Sequence, residues 1–276
     1  MKKIYKIAGI FILALSLFLP TGISHAKKSR GAYRTSYRTV IFSDSTKGKR
    51  LFGSRVHDRI LPASTVKVLT VLLVLENLPL DQYVTVGHKA TVVQPSKLFL
   101  RAGEQYKVRD LLYALLLSSS NDASVVLAEA VAGSEENFVR MMNARAKQLG
   151  AKNSRFANCH GLPSAANQYS SAYDMYLIYR QALKNAFFEQ GVQKKFKVIY
   201  SRSGRKLILK NHNKMLFFDW RKAVYGKTGW TRKAGGCFLG HVEKGDSKLI
   251  IGIFGCSSKR WSDIRHIITK YSGVKL

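Results

Sequence analysis

Apolar positions follow two different patterns along the chain. Residues 37–42 and 50–54 are rich in strand-forming side chains and flank a turn-forming stretch, which predicts a β-hairpin. From Ser64 to about Lys184 the apolar runs become longer, which predicts a mainly helical region. The first of these runs, 68–75, lacks Gly and Pro, and it is long enough for a buried helix with Ser64 in its first turn.

Capping residues mark the ends of several helices in this region. Asp110 begins one helix, Ser134 caps another that runs to about Gln148, Gly150 ends that helix, and Asp174 begins a further one. The stretch between the last two of these helices has no helical periodicity, and we expect it to be a loop.

Beyond the helical region the chain returns to strand-like patterns. Residues 194–214 are basic and favour strands, and two further strands are predicted at 237–241 and 248–254. In the last segment, four apolar residues recur at helical spacing. We expect this helix to pack on the sheet rather than lie on a membrane surface, through Trp261, Ile264, Ile268 and Tyr271.

Strands at both ends of the chain, with helices between them, predict an α/β fold. The expected architecture is an antiparallel β-sheet flanked by helices, with an all-helical lobe inserted into it. The α/β lobe is expected to cover about 33–62 and 190–276, and the helical lobe about 63–189. No internal repeat, low-complexity tract or flexible linker is visible. A chain of this length can bury one substantial core or two tightly joined lobes.

Residues 1–26 have the three parts of a secretory signal peptide. Three lysines precede the apolar stretch 7–19, and Ser24, His25 and Ala26 form a small-residue cleavage site. This apolar stretch is shorter than the ~20 residues that span a bilayer. We therefore expect secretion across the cytoplasmic membrane and a mature chain of residues 27–276.

The chain is strongly basic. Its formal net charge is +30, and removal of the three lysines in the predicted signal peptide leaves +27. The excess is concentrated in 27–59 and 180–233, which predicts attraction to an anionic wall polymer or an acidic membrane surface. Nucleic acid is not expected as a partner, because a secreted protein rarely meets it. The alternative is that the charge serves solubility alone.

Cysteine and histidine usage gives little further chemistry. The chain has three cysteines, so at most one disulfide can form, and Cys237 with Cys256 is the candidate pair on adjacent strands. His212 and His241 lack partners at metal-ligand spacing, and no metal or other cofactor is predicted.

A candidate nucleophile lies at the start of the first apolar run. Ser64 and Lys67 are three residues apart, so a helical turn places both side chains on one face. A serine hydroxyl needs a base to take its proton, and a lysine can serve if burial and nearby positive charge disfavour its ammonium form. Taken alone, the pair is also compatible with a serine that starts a core helix and a lysine that reaches solvent.

Two further motifs favour the catalytic interpretation. Ser119 and Asn121 lie between two apolar segments, which predicts a tight loop that projects both side chains. Lys227, Thr228 and Gly229 lie just before the strand pair near the C-terminus. The combination S-x-x-K, S-x-N and K-T-G, in this order, is typical of class A β-lactamases and penicillin-binding proteins.

With these motifs, the chain resembles the low-molecular-mass penicillin-binding proteins of peptidase family S11, the D-alanyl-D-alanine carboxypeptidases and endopeptidases. The similarity extends through 111–129, 156–162 and 170–175, and it covers about 38–271. One departure is Ser120, where the family more often has glycine. The resemblance implies the β-lactamase/transpeptidase-like fold, with the three motifs meeting in a cleft. It also implies that the protein is located in the periplasm or the cell-wall space. Because the sequence ends after the last helix, the C-terminal β domain and amphipathic anchor of many members are not expected.

The resemblance also implies roles for the catalytic residues. Ser64 would attack the penultimate D-alanine of a peptidoglycan stem peptide, with Lys67 as the base. The backbone N–H groups of Ser64 and Trp230 would form the oxyanion hole. Ser119 would relay a proton to the leaving amine, supported by Lys227.

The remaining motif residues are implied to bind the substrate. Asn121 would hold Lys67 and hydrogen-bond the substrate backbone, while Lys227 and Thr228 would bind its terminal carboxylate. Gly229 would let the substrate lie against the strand. β-Lactam antibiotics would acylate the same serine, because they present an amide carbonyl and a carboxylate at similar separation.

Three alternatives share parts of this pattern. A D,D-endopeptidase that cleaves peptidoglycan cross-links would use the same residues. A class A β-lactamase needs a deacylating glutamate in a loop, and 151–172 contains neither Asp nor Glu. An inert wall-binding protein would have no need to keep Lys67 beside Ser64.

His160, in the loop-like stretch 151–172, is either structural or part of the cleft.

Overall fold

The computed structural model describes residues 33–276, so the predicted signal peptide at 1–26 lies outside the described residues. The strands, in chain order, are β1 (Thr39–Asp44), β2 (Lys49–Ser54), β3 (Tyr83–Thr85), β4 (Gln105–Lys107), β5 (Phe196–Tyr200), β6 (Lys206–Lys210), β7 (Tyr225–Thr231), β8 (Gly235–Lys244) and β9 (Ser247–Cys256). The helices are α1 (Lys67–Asn77), α2 (His88–Val92), α3 (Val108–Ser118), α4 (Asn121–Ala132), α5 (Glu135–Gln148), α6 (Ala172–Ala182), α7 (Ala186–Gln193) and α8 (Arg260–Ser272).

Side-chain caps explain several helix ends. Ser134 accepts a hydrogen bond from the backbone N–H of Asn137 at the start of α5, as its sequence position predicts. Gly150 follows that helix with a φ of +82°, which is the left-handed conformation that ends many helices. Helix α6 begins two residues before the predicted Asp174, because Ser171 is its cap and accepts from the backbone N–H of that aspartate.

The five-stranded sheet joins the two ends of the chain. Its order is β2-β1-β9-β8-β7, and each neighbouring pair is antiparallel. Strand β1 pairs with β9 from Thr39 opposite Phe254 to Asp44 opposite Leu249. The predicted antiparallel sheet flanked by helices is therefore confirmed.

Alternating side chains of the sheet enter two separate cores. Ile41, Leu239 and Phe254 face the helices α1, α3, α4 and α6, whereas Phe42 and Ile251 face the opposite side. Strand residues two apart share a face, so each strand contributes to both cores.

The last helix covers the second of these cores. Ile264 and Ile268 of α8 are fully buried there. Tyr271 stacks on Phe52 of β2 with ring centroids 4.2 Å apart. The prediction that this helix packs on the sheet is confirmed. Within the described residues, no helix combines the length and hydrophobicity needed to cross a bilayer.

Two small hairpins differ from the sequence-based expectation. Strands β3 and β4 pair with each other inside the region expected to be mainly helical. Strands β5 and β6 form a separate two-stranded sheet that packs against α3 instead of joining the main sheet. The basic segment 194–214 does contain strands, but they lie beside the helices. The proposed division into two lobes stays a prediction.

The expected disulfide is wrong, because the three cysteines are free. Cys237 lies in the core on the helical side of the sheet, and Cys256 lies in the core beneath α8. Strand β8 changes register between Gly236 and Phe238, and Gly236, not Cys237, is the partner of Cys256. The two thiols therefore face opposite sides of the sheet.

Candidate active site

A turn of 3-10 helix at Ala63–Val66 carries the first motif and leads directly into α1. Residues three apart in such a turn lie over one another, so Ser64 and Lys67 face the same way. Lys67 Nζ lies 3.3 Å from Ser64 Oγ. Ala63 has a φ of +47°, a left-handed conformation that is strained for a residue other than glycine. The chain thus makes a sharp bend immediately before the serine.

Lys67 is fully buried and is surrounded by uncharged acceptors. Its Nζ lies 2.7 Å from Asn121 Oδ1 and 2.6 Å from the backbone oxygen of His160. Burial lowers the pKa of Lys67 to about 7 from its ordinary value of 10.5. A neutral amine has two N–H donors and one lone pair. Two donors satisfy the amide and carbonyl oxygens, which leaves the lone pair for the Ser64 hydroxyl.

The second motif forms the predicted tight loop between α3 and α4. Ser119 ends α3 with a φ of +57°, and α4 begins at Asn121. The hydroxyl of Ser120 caps α4 by accepting from the backbone N–H of Ala123, and it also contacts the Asp122 carboxylate. The family more often has glycine at the position of Ser120. In this chain the serine hydroxyl stabilises the start of helix α4, which a glycine cannot do.

The third motif lies within the edge strand β7 itself. Lys227 is buried, and its Nζ donates to Ser119 Oγ at 2.9 Å and to the backbone oxygen of Thr228 at 2.9 Å. Burial, the neighbouring Lys67 and then Arg260 hold the pKa of Lys227 well below its usual range. The contact with Ser119 joins the second and third motifs directly.

Gly229 brings strand β7 against the serine turn. A Cβ at this position would lie 3.0 Å from the backbone nitrogen of Ser64 and 3.2 Å from the Cβ of Ala63. Both separations are tighter than ordinary contacts, so a side chain would push the strand away. The absence of a side chain keeps β7 close to the Ser64 N–H, where an oxyanion would form.

Five predicted site residues line one cleft of about 240 Å³: Ser64, Ser119, Thr228, Gly229 and Trp230. The other three predicted residues are buried behind the surface of the cleft. Lys67 and Asn121 contact each other, and Lys227 contacts Ser119. All eight predicted residues are therefore brought together by three different segments of the chain.

Comparison with known proteins agrees with this geometry. The sequence model of the D-alanyl-D-alanine carboxypeptidase family, peptidase family S11, matches residues 26–258. The chain belongs to this family. Members of the S11 family are serine hydrolases, which is the class of enzyme that the three motifs predict.

Individual relatives show the same relationship. D-alanyl-D-alanine carboxypeptidase DacF of Bacillus subtilis is 32% identical over 259 residues, which make up 90% of this chain and 66% of that protein. The D-alanyl-D-alanine carboxypeptidase structure from Mycobacterium tuberculosis is 28% identical, with a TM-score of 0.80 over 88% of this chain and 94% of that one. The Streptomyces K15 DD-transpeptidase is 26% identical, with a TM-score of 0.80 over 88% and 99%. This chain spans just under two thirds of the Bacillus relative.

Three residues that line the cleft of this S11 member were not predicted from the sequence: Ser96, His212 and Arg260. Arg260, at the start of α8, donates to the backbone oxygens of Gly229 at 2.9 Å and Cys237 at 2.8 Å. These bonds fix the third motif to the last helix. No motif spacing marks these residues, because each reaches the cleft through tertiary packing of a distant segment.

His160 contributes its backbone rather than its ring to the site. Its carbonyl accepts from Lys67, while its ring is buried away from the cleft lining, with Nδ1 accepting from the Leu162 N–H at 3.2 Å. Burial, together with Lys67, lowers the pKa of His160 to about 3. The neutral ring is consistent with the structural alternative.

Proposed function

We propose that the protein is a serine-type D-alanyl-D-alanine carboxypeptidase that removes the terminal D-alanine from peptidoglycan stem peptides. The observation that carries this proposal is the placement of Lys67. Its Nζ lies 3.3 Å from Ser64 Oγ, and two uncharged acceptors occupy its other hydrogen-bonding directions. Such an amine is poised to accept the serine proton.

Acylation would begin when Ser64 Oγ attacks the carbonyl carbon of the penultimate D-alanine and its proton moves to Lys67. The backbone N–H groups of Ser64 and Trp230 would stabilise the tetrahedral oxyanion. Gly229 lies close to the Ser64 nitrogen, so little space separates strand β7 from the turn that carries Ser64. This close approach supports the assignment, because the two N–H groups come from that strand and that turn.

Collapse of the intermediate would release D-alanine and leave an ester on Ser64. Ser119 lies 2.9 Å from Lys227 Nζ, so its hydroxyl is held where it could pass a proton to the leaving amine. Water would then hydrolyse the ester, with the same base activating it. Asn121 would keep Lys67 aligned and hydrogen-bond the substrate backbone.

The terminal carboxylate of the substrate would bind at the positively charged end of the cleft. Thr228 lines the cleft, and the buried Lys227 contacts the backbone oxygen of Thr228 from behind. Arg260 lines the cleft and supplies a cation there. A carboxylate is favoured there because hydrogen bonds from cations and hydroxyls stabilise its negative charge. β-Lactam antibiotics carry an equivalent carboxylate, and we propose that they acylate Ser64 by the same route.

A second cavity beside the cleft bears on the β-lactamase alternative. It has a volume of about 420 Å³ and is lined by Ala63, Gly161, residues 163–168, Thr231 and Lys233, together with Leu61. None of these side chains is acidic. A glutamate that could activate water for rapid deacylation is therefore missing from this lining, which supports a peptidase over a class A β-lactamase.

The decisive experiment is product analysis by mass spectrometry with purified wall fragments. Release of free D-alanine from monomeric pentapeptides by the wild type, but not by the Ser64→Ala variant, is the expected result. Conversion of cross-linked dimers to monomers without free D-alanine would instead show an endopeptidase. Rapid turnover of penicillin would show a β-lactamase, and no reaction with penicillin or wall fragments would show an inert wall protein. We further propose that the enzyme acts outside the cytoplasmic membrane, in the periplasm or cell-wall space.

A further inference from the structure

Three potential metal ligands converge on the sheet away from the catalytic cleft. His241 and Glu243 are two residues apart on β8, so their side chains share one face of the strand. Glu189 comes from helix α7. A ring nitrogen of His241 and one oxygen of each carboxylate all lie within 4.8 Å of one another. His241 pairs with Tyr225 on the neighbouring strand β7. Tyr225 is four residues from Gly229, so the cluster is separated from the catalytic cleft by roughly 13 Å along β7.

The histidine of this cluster has a ring nitrogen without a hydrogen-bond partner. His241 is fully buried, and its Nδ1 lies 2.9 Å from the hydroxyl of Tyr179. Its Nε2 is buried without a hydrogen-bond partner, which among the described residues is true of just one other buried side-chain atom, Arg109 Nε. Buried polar atoms are normally satisfied, so this one calls for a partner.

We propose that His241, Glu189 and Glu243 bind one divalent transition-metal ion, with Zn²⁺ the expected occupant. One imidazole nitrogen and two carboxylate oxygens suit Zn²⁺ better than Ca²⁺ or Mg²⁺, which prefer oxygen ligands alone. The bond from Nδ1 to Tyr179 leaves Nε2 as the ligand atom, and it fixes the orientation of the ring. The exposed side of Glu243 leaves room for water as a fourth ligand.

The ligand atoms must move closer together to bind this ion. Zn–N and Zn–O bonds are ~2.0–2.2 Å long, so two ligand atoms of a tetrahedral ion lie about 3.4 Å apart. The observed limit of 4.8 Å therefore needs a contraction of up to about 1.4 Å. Neither Glu243 nor Glu189 is buried, so rotation of their side chains can supply this movement.

Lys248 is the cation that the metal would displace. Its Nζ contacts Glu189 Oε1, and Lys248 is also the cross-strand neighbour of Glu243. The ammonium pairs with the Glu189 carboxylate but leaves His241 Nε2 without a partner. The side chain of Lys248 is 35% exposed, so it can turn into solvent when a metal ion replaces it. Lys248 therefore competes with the metal, and its removal should strengthen binding.

The consequence of binding would be a link between α7 and β8. Because the ion binds the folded state, it should raise the melting temperature in proportion to the logarithm of its free concentration. The link lies outside the catalytic cleft, so penicillin acylation of Ser64 should be unchanged. The proposed metal site can thus fail while the proposed peptidase activity stands, and the reverse is also true.

The experiment is Zn²⁺ titration of the purified, chelator-treated protein by calorimetry, with metal content measured after dialysis. We expect one Zn²⁺ per chain with a Kd tighter than about 10 µM. Glu189→Gln and Glu243→Gln should each weaken binding at least about tenfold, and Lys248→Gln should tighten it about threefold or more. Co²⁺ should give a visible absorption band that is weaker in both carboxylate variants at the same Co²⁺ concentration. These carboxylates are not buried, so the variants should fold, and no change at the fully buried His241 is needed for the test.

The matched control is Glu136→Gln, which removes an exposed carboxylate on α5 and should leave Zn²⁺ affinity unchanged. Equal affinity in all the variants would place the metal elsewhere and overturn the proposal. The absence of binding at about 1 mM Zn²⁺ would show that the cluster is an ion pair with Lys248 alone. Weaker binding in Lys248→Gln would also overturn it, since the lysine would then support the site rather than compete for it.

Discussion

Asn121 Oδ1 lies 2.7 Å from Lys67 Nζ, although 54 positions separate the two residues in sequence. This hydrogen bond couples the loop between α3 and α4 to the start of α1. Together with the His160 carbonyl it turns the amine towards Ser64, and neither partner carries a charge that would favour the ammonium form. The lowered pKa of Lys67 thus results from burial among neutral acceptors, and it has a direct kinetic consequence.

We predict that the rate of penicillin acylation rises with pH through about 7, the pKa of Lys67. Below this pH the ammonium has no lone pair for the Ser64 proton, so the second-order rate constant should fall about tenfold per pH unit. Stopped-flow measurement from pH 5 to pH 9 checks this. The residual rate of Lys67→Ala should lack this dependence, and a flat wild-type profile would contradict the assignment. His160, whose pKa is about 3, stays neutral throughout.

The Ser64→Ala variant should lose covalent labelling by fluorescent penicillin, to below about a thousandth of the wild-type rate, and also lose peptidase activity. The change removes one oxygen at the surface of the cleft, so the melting temperature should change little. Peptide mapping of any residual label provides the check. Label retained on another serine would show that Ser64 is not the nucleophile.

The Lys67→Arg variant should be nearly as inactive as Lys67→Ala. Arginine keeps the positive charge but remains protonated, so it cannot act as the base. Acylation by a fluorescent penicillin should fall below about a tenth of the wild-type rate. This corresponds to an activation free energy raised by more than ~1.4 kcal/mol. The melting temperatures of both variants must be compared, because Lys67 is fully buried. A folded arginine variant with more activity than this would mean that the base lies elsewhere.

The Gly229→Ala variant should acylate about 10 to 100 times more slowly than the wild type. Its new Cβ would lie 3.0 Å from the Ser64 nitrogen and 3.1 Å from the Thr65 nitrogen, which forces strand and turn apart. Gly87→Ala is the matched control, because its Cβ would meet only the flexible carboxylate of Glu129. Unchanged acylation in Gly229→Ala would show that the oxyanion site does not depend on this close approach.

The three motifs could be predicted because each is a local pattern on an element whose period is visible in the sequence. Strand β1 was predicted at 37–42 and lies at Thr39–Asp44, and the loop at Ser119 forms where expected. A three-residue spacing in a helical turn fixes which side chains share a face. The contact between Lys227 and Ser119 followed only from the resemblance to a known family, since 108 positions separate them.

Features that depend on tertiary packing could not be predicted. Arg260 reaches the cleft from the last helix, and the His160 carbonyl reaches Lys67 from a loop. The expected pairing of Cys237 with Cys256 failed because a change of register in β8 is invisible in the hydrophobic pattern. The strands of the basic segment were expected, but their packing beside α3 was not, because apolar alternation does not identify the partner of a strand.

The enzyme should bind anionic wall polymer or acidic membranes by charge. Residues 180–233 hold fifteen Lys or Arg against Glu189 and Asp219, so this region cannot neutralise itself. Lys227 is buried in the site, whereas eleven of the others are exposed: Arg180, Lys184, Lys195, Arg202, Lys206, Lys210, Lys214, Arg221, Lys222, Arg232 and Lys233. Their positive potential would attract an anionic polymer towards the cleft, over a screening length of ~8 Å at physiological salt and ~3 Å at 1 M.

We therefore predict that the protein co-sediments with cell-wall sacculi or acidic vesicles in low salt and is released at about 1 M NaCl without detergent. A Lys206→Gln, Lys210→Gln double variant should be released at lower salt than the wild type, and Lys147→Gln with Lys152→Gln is the charge-matched control. Binding that survives high salt would show a hydrophobic contribution. Helix α8 packs on the sheet, so such a contribution would have to come from another surface. The β5–β6 hairpin would then be the first candidate, because its exposed side chains include Phe196, Tyr200 and Ile208.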